Sequence, residues 1–200
     1  MGGMVRPRAS AGPRRRQALA TLLAGAVPLL CRAGSTTRLA AAWATDDGRQ
    51  WVGAIDLEPG AGPARMAWQQ ALPGRAHGLL PLPDGDLLVL AVRPGRWLMR
   101  LAADGRVRRT HQLDEAGETH TLGGHALWAG GCLYTAETDP ASGLGAIGVR
   151  DPDTLARVGG FDSGGVEPHD LLADADGALL VAHGGIRRGE ADRKLDLDRM

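Results

Sequence analysis

An all-β fold built of repeated four-stranded antiparallel units is what this sequence predicts, and three observations carry the prediction. From Arg38 onward no stretch keeps a 3.6-residue apolar period for three turns, as an amphipathic helix must. Apolar runs of four to seven residues instead alternate with tight-turn signals: "DDG" at 46–48, "PDGD" at 83–86, "ADG" at 103–105, "AGG" at 129–131 and "DADG" at 174–177. Asp and Gly supply the local hydrogen bonds and positive φ angles such turns need. Finally, "AHGLLPLPDGDLLVLAV", "GHALWAGGCLYTAET" and "PHDLLADADGALLVAHG" align, with His77, His125 and His169 leading the copies 48 and 44 residues apart. A period in the forties with about four strands per unit is the signature of β-propeller blades.

In chain order, residues 1–33 read as an export signal. They carry six arginines and no acid, then an apolar stretch from Ala18 to Leu30 that is too short to span a bilayer comfortably. Arg15-Arg16-Gln17-Ala18-Leu19 resembles the twin-arginine pattern Arg-Arg-x-apolar-Leu, with Arg14 in place of the usual Ser or Thr. Small residues at Cys31 and Ala33 place cleavage after Ala33, which predicts a periplasmic protein with no stable membrane anchor. Lipidation of Cys31 is the weaker reading, because Leu30 is too large for the residue before it. Cleavage leaves Cys132 as the one cysteine, in an apolar strand where it is expected to be inert.

The remaining chain, 34–200, divides into blades at about 38–74, 77–113, 125–161 and an incomplete 169–200. The second shows the layout best, with strands expected at Gly78–Leu82, Leu87–Arg93, Arg96–Ala102 and Val107–Leu113. About three and a half blades fall short of the four to eight that close a propeller, so a part of a larger propeller is expected. Composition agrees with a soluble globular protein, at 44% hydrophobic and 23% charged residues. The formal charge of zero hides an asymmetry. Without the signal there are 17 basic and 23 acidic groups, a net charge of −6, which gives nucleic acid no electrostatic footprint.

The lead histidines are the candidate site. In a blade the innermost strand pairs antiparallel with the next, so its start lies beside the end of its partner. Reflection through the turn then pairs His77 with Arg93, His125 with Glu137 and His169 with His183, at one mouth of the central channel. His120, Asp139, Glu167 and Asp170 flank the same loops. Imidazoles and carboxylates together suit iron, copper or zinc, with His125, His169, His183 and Glu137 as the expected metal set. Arg93 and protonated histidine would equally hold a polar or anionic ligand. The structural alternative is that the histidines bond neighbouring backbone and keep blades in register.

The motifs "GHALW…LYTAETDPASGLGAIGVRD", "VGGFDSGGVEPHDL", "LLVAHGGI" and "RKLDLDRM" resemble those of the domain of unknown function 1513 family, over about Arg38 to Met200. The resemblance implies a bacterial, twin-arginine-exported propeller of roughly seven blades. It also implies genes beside imelysin-like proteins, and hence partners in iron uptake, but no established reaction. His183 and Thr138 stand where the family has asparagine, and the family's C-terminal half is missing.

Other signals are discounted. Gly143, Gly145 and Gly148 fit G-x-G-x-x-G, yet the run leads into a strand instead of a helix. Asp174-x-Asp176-Gly177 lacks the remaining ligands of a calcium loop and reads as a hairpin turn. No nucleophile elbow or P-loop is present. His111, among arginines of an outer strand, is expected to be solvated. Trp43, Trp51, Trp68, Trp97 and Trp128 are expected to pack between blades. The sequence therefore predicts an exported ligand- or metal-binding or scaffold module. A periplasmic propeller enzyme, a metal-dependent lactonase-like hydrolase or an oxidoreductase, is the competing reading, with Glu137 or His169 as base.

Overall fold

Turn chemistry sets the architecture. In "PDGD" the N–H of Leu82 donates to Asp86 O at 2.8 Å and that of Gly85 to Leu82 O at 3.0 Å. Thr45–Arg49, Ala102–Arg106 and Asp174–Ala178 repeat the same pair of bonds. Each loop has its glycine at positive φ (Gly48, Gly85, Gly105 and Gly177), the three-residue hairpin in which a left-handed residue closes a type I turn. The expected hairpin at 174–177 is thus present, with Asp174 Oδ1 accepting from the N–H groups of Asp176 and Ala178.

A computed structural model describes residues 36–58, 60, 63–189 and 193–195; the segment bearing Arg15, Arg16 and the expected cleavage site lies outside the described residues. Among those described there is no helix. The first sheet holds β1 (Thr37–Ala44), β2 (Gln50–Leu57) and β3 (Arg65–Ala71). The second holds β4 (Ala76–Pro81), β5 (Leu87–Ala91), β6 (Trp97–Leu101) and β7 (Val107–Gln112). The third holds β8 (Thr121–Ala129), β9 (Cys132–Thr138), β10 (Gly145–Arg150) and β11 (Arg157–Asp162). Two short pairs follow, β12 (Pro168–Ala173) with β13 (Leu179–His183), and β14 (Arg187–Arg188) with β15 (Lys194–Leu195). Every pairing is antiparallel and in chain order. The second and third sheets are four-stranded and blade-like; the first has three strands among the described residues. The third begins at Thr121 instead of His125, because β8 carries extra residues in a bulge between Leu122 and Ala126.

The sheets stack face to face, and this explains the continuous apolar run "LLVLA" of β5, whose five residues are all buried. A strand presents alternate residues to opposite faces, and here both faces are covered. Leu88 and Leu90 join Leu98, Leu122 and Leu133 on one side. Leu87, Val89 and Ala91 join Val52, Trp97, Met99 and Leu101 on the other. A third cluster, Ala136, Ile147 and Leu171, ties the third sheet to the β12–β13 pair. Burying each such leucine contributes about 1.5–3 kcal/mol. Trp68 and Trp128 pack against these clusters, whereas Trp43 and Trp51 face each other across β1 and β2. The first strands of successive sheets are neighbours, β4 against β8 and β8 against β12. That adjacency brings the lead histidines together.

Candidate metal and ligand site

Each lead histidine falls where its strand leaves regular register. The shifts lie between Ala76 and Gly78, between Leu122 and Ala126, and between Pro168 and Asp170. A bulge adds an unpaired residue and re-aims its side chain. Three bulges on three adjacent strands turn His77, His125 and His169 toward one another. Ring centroids lie 4.9 Å apart for His77–His125, 4.7 Å for His125–His169 and 6.1 Å for His77–His169. One ligand nitrogen from each ring lies within 4.8 Å of the other two. Glycine makes this approach possible: Gly124 has φ +96°, and a Cβ there would sit 2.7 Å from His77 Cδ2. A Cβ on Gly78 would collide with Gly124 O.

Two of the three rings, His77 and His125, are held toward the neutral form. Burial, then the charges of His169, Arg93 and Arg75, hold the His77 imidazolium below its usual range. Burial also comes first for His125, followed by His169 and His77, and its pKa falls despite the opposing carboxylate of Asp170. His77 Nε2 and His125 Nε2 are 3.0 Å apart and share one proton. Asp170 Oδ1, 3.6 Å from His125 Nδ1, favours a proton on Nδ1 and so a lone pair on His125 Nε2. Donor nitrogens around a tetrahedral zinc ion stand roughly 3.3 Å apart. A cation in place of that shared proton is therefore sterically natural.

The third ring has a different partner. Arg93 Nη1 lies 2.9 Å from His169 Nδ1, and since arginine can only donate, Nδ1 accepts. The same Nη1 pairs with Glu167 Oε1 at 3.1 Å. Glu167 is buried, has φ +56°, and accepts from the Ile186 N–H at Oε2. Arg93 and Glu167 also form part of the wall of a cavity of about 600 Å³, otherwise lined largely by apolar residues such as Leu122, Val166, Pro168 and Ile186.

Of the six expected mouth residues the structure gathers four: His77, His125, His169 and Arg93. Arg93 arrives as the partner of His169 and Glu167 instead of opposite His77, because the ladder there pairs Ala76 with Ala91. Glu137 is a correction. It pairs with Leu122, ahead of the bulge, and is fully buried. Its carboxylate is bonded to Arg150, Thr135 and Arg157. His183 is a second correction: it faces Pro168, and its Nε2 bonds Ser163 Oγ at 3.0 Å. Of the expected set His125, His169, His183 and Glu137, the structure groups His125 and His169 with His77, and places His183 and Glu137 elsewhere. A one-residue shift in register moves a side chain to the opposite face, and reflection through the turn ignored the bulges. The sequence trace of the largest bulge is Gly123-Gly124. His111 is corrected too, being mostly buried and bonded to Glu118 Oε1 at 2.6 Å. Gly148, from the discounted glycine motif, leaves room for the Glu137 carboxylate, which a Cβ there would strike.

The family described as "Protein of unknown function (DUF1513)" matches residues 70–200. Among solved structures, a protein of unknown function from Bacteroides caccae is 17% identical, with 78% of this chain and 58% of that chain covered, at a TM-score of 0.45. A protein from Lactobacillus plantarum is 15% identical, with 80% of this chain and 54% of that chain covered, at a TM-score of 0.47. The chain thus spans little more than half the length of these structures. No curated protein matches the sequence.

Proposed function

Since the chain belongs to the DUF1513 family of proteins of unknown function, we propose that it is a β-propeller module that binds one transition-metal ion through His77, His125 and His169. The observation that carries this is the convergence of three ligand nitrogens within 4.8 Å from three successive sheets. Imidazole suits iron, copper and zinc alike. Three protein ligands leave a coordination position open, as in zinc sites that exchange their fourth ligand. Stacking of blade-like sheets through their first strands supports the propeller. So does the exposed cross-strand pair Leu172 and Leu180, an apolar face that another blade would cover. Arg15 and Arg16 direct export by the twin-arginine route to the periplasm, where iron-uptake proteins are the proposed partners.

Binding is preferred to catalysis because Glu137, one of the two candidate bases of the enzyme reading, is locked between Arg150 and Arg157, and the other, His169, is engaged by Arg93. The test is elemental mass spectrometry on the chain purified with its native signal, beside a His125→Ala/His169→Ala variant. Near-stoichiometric metal that vanishes in the variant is expected. Equal metal in both, or none in either, would contradict the proposal.

A further inference from the structure

Arg93 joins the histidine cluster to the cavity, and this position has a chemical consequence. A neutral His169 has a single lone pair, on Nδ1, the atom to which Arg93 Nη1 donates. A cation that takes this lone pair releases the Arg93 donor. Three neutral imidazoles bring no negative charge, so a divalent ion keeps both of its charges. Arg93 adds a third positive charge beside it, against the carboxylates of Glu167 at 3.1 Å from Arg93 and Asp170 at 3.6 Å from His125. The loaded site carries a surplus of positive charge, an open coordination position and a released guanidinium donor. Beside it lies the cavity of about 600 Å³, and small-molecule sites are typically apolar pockets with a few placed polar groups.

We propose that this cavity binds an organic carboxylate, its head on Arg93 and its apolar body against Leu122, Val166, Pro168 and Ile186. The inference rests on the metal reading in one respect, since the bound cation frees Arg93 and offers the carboxylate its second partner. Guanidinium–carboxylate bonds are charge-assisted and geometrically matched, so the head group dominates recognition. The experiment is calorimetric titration of octanoate, with uncharged 1-octanol as control, into the zinc-loaded full chain. Zinc content is measured on every preparation. Octanoate is expected to bind at least about tenfold tighter than 1-octanol, and Arg93→Gln to erase that preference. Ile186→Trp, which fills the cavity without touching a histidine, should weaken octanoate at unchanged zinc content. Equal affinity for the acid and the alcohol, or an Arg93→Gln protein that keeps the preference, would overturn the proposal. A chain that takes up no zinc defeats the metal reading separately. The zinc-free titration then decides the cavity: preference for octanoate supports the carboxylate site, and its absence sinks it.

Discussion

Two polar clusters draw on the third sheet, one seated within it and one joining it to its neighbours through His125, and they are built on opposite rules. Around Arg150, which is fully buried, every charge meets its opposite. Nη2 bonds Glu137 at 2.7 Å and Glu118 at 2.9 Å, Nε bonds Thr135 Oγ1 at 3.1 Å, and Nη1 bonds Leu155 O at 2.9 Å. Arg157 completes Glu137, and His111 completes Glu118. Two guanidiniums thus balance two carboxylates. His125 stands three residues after Leu122, the cross-strand partner of Glu137, yet its cluster brings three imidazoles together, with His77 and His125 hydrogen-bonded to each other. A network that serves the fold closes its own charges and hydrogen bonds. The histidine cluster turns like groups toward one another, which is the arrangement that a cation would complete.

That contrast can be broken most sharply at Glu137. Glu137→Ala leaves Arg150 buried without its main partner, which costs about 3–5 kcal/mol. Urea unfolding should show this loss, and zinc uptake per folded molecule should be unchanged. If metal is lost together with stability, the two clusters are not independent. Gly124→Ala should cost about 1–3 kcal/mol through strain at its positive φ. Unlike Glu137→Ala it should also abolish zinc binding, because its methyl displaces His77; calorimetry with zinc reads this directly.

Smaller effects sharpen the comparison. Burial alone would raise the Glu118 carboxyl, but the bonds and charge of Arg150, with the bonds from His111 and Arg157, outweigh it and hold the pKa below the usual carboxylate range. A depressed folded pKa gives stability that is present above the unfolded value and lost as pH falls through the folded one. Glu118→Gln should therefore be less stable than the parent near neutral pH, and the gap should close in acid below the usual carboxylate range. A gap that persists there would mean that Glu118 acts through shape alone. His183→Ala, which removes only the bond to Ser163, should change stability by less than about 1 kcal/mol and leave zinc uptake intact. Loss of metal in that variant would restore His183 to the ligand set.

The strands were legible because their signals are local. Asp-Gly turns and apolar runs placed the second sheet's strands to within about two residues. The bulges were less legible. A bulge is set by how one strand meets the next sheet, as where Gly124 O lies against Gly78, and only Gly123-Gly124 hints at it in the chain. Without them the reflection placed Glu137 and His183 on the wrong face. Arg150 was missed for a related reason: its partners Glu118 and Glu137 come from other segments of the chain, which a local pattern does not join. What survived was the repeat of His77, His125 and His169, because repetition records position within a sheet even where register does not.

The most direct test is the visible absorption spectrum of the chain titrated with Co(II), whose d–d bands are intense in four- and five-coordinate sites and weak in octahedral ones. One equivalent should produce such bands, and His125→Ala should abolish them while Glu137→Gln keeps them. Bands absent from the parent chain, or unchanged in His125→Ala, would contradict a three-histidine metal site.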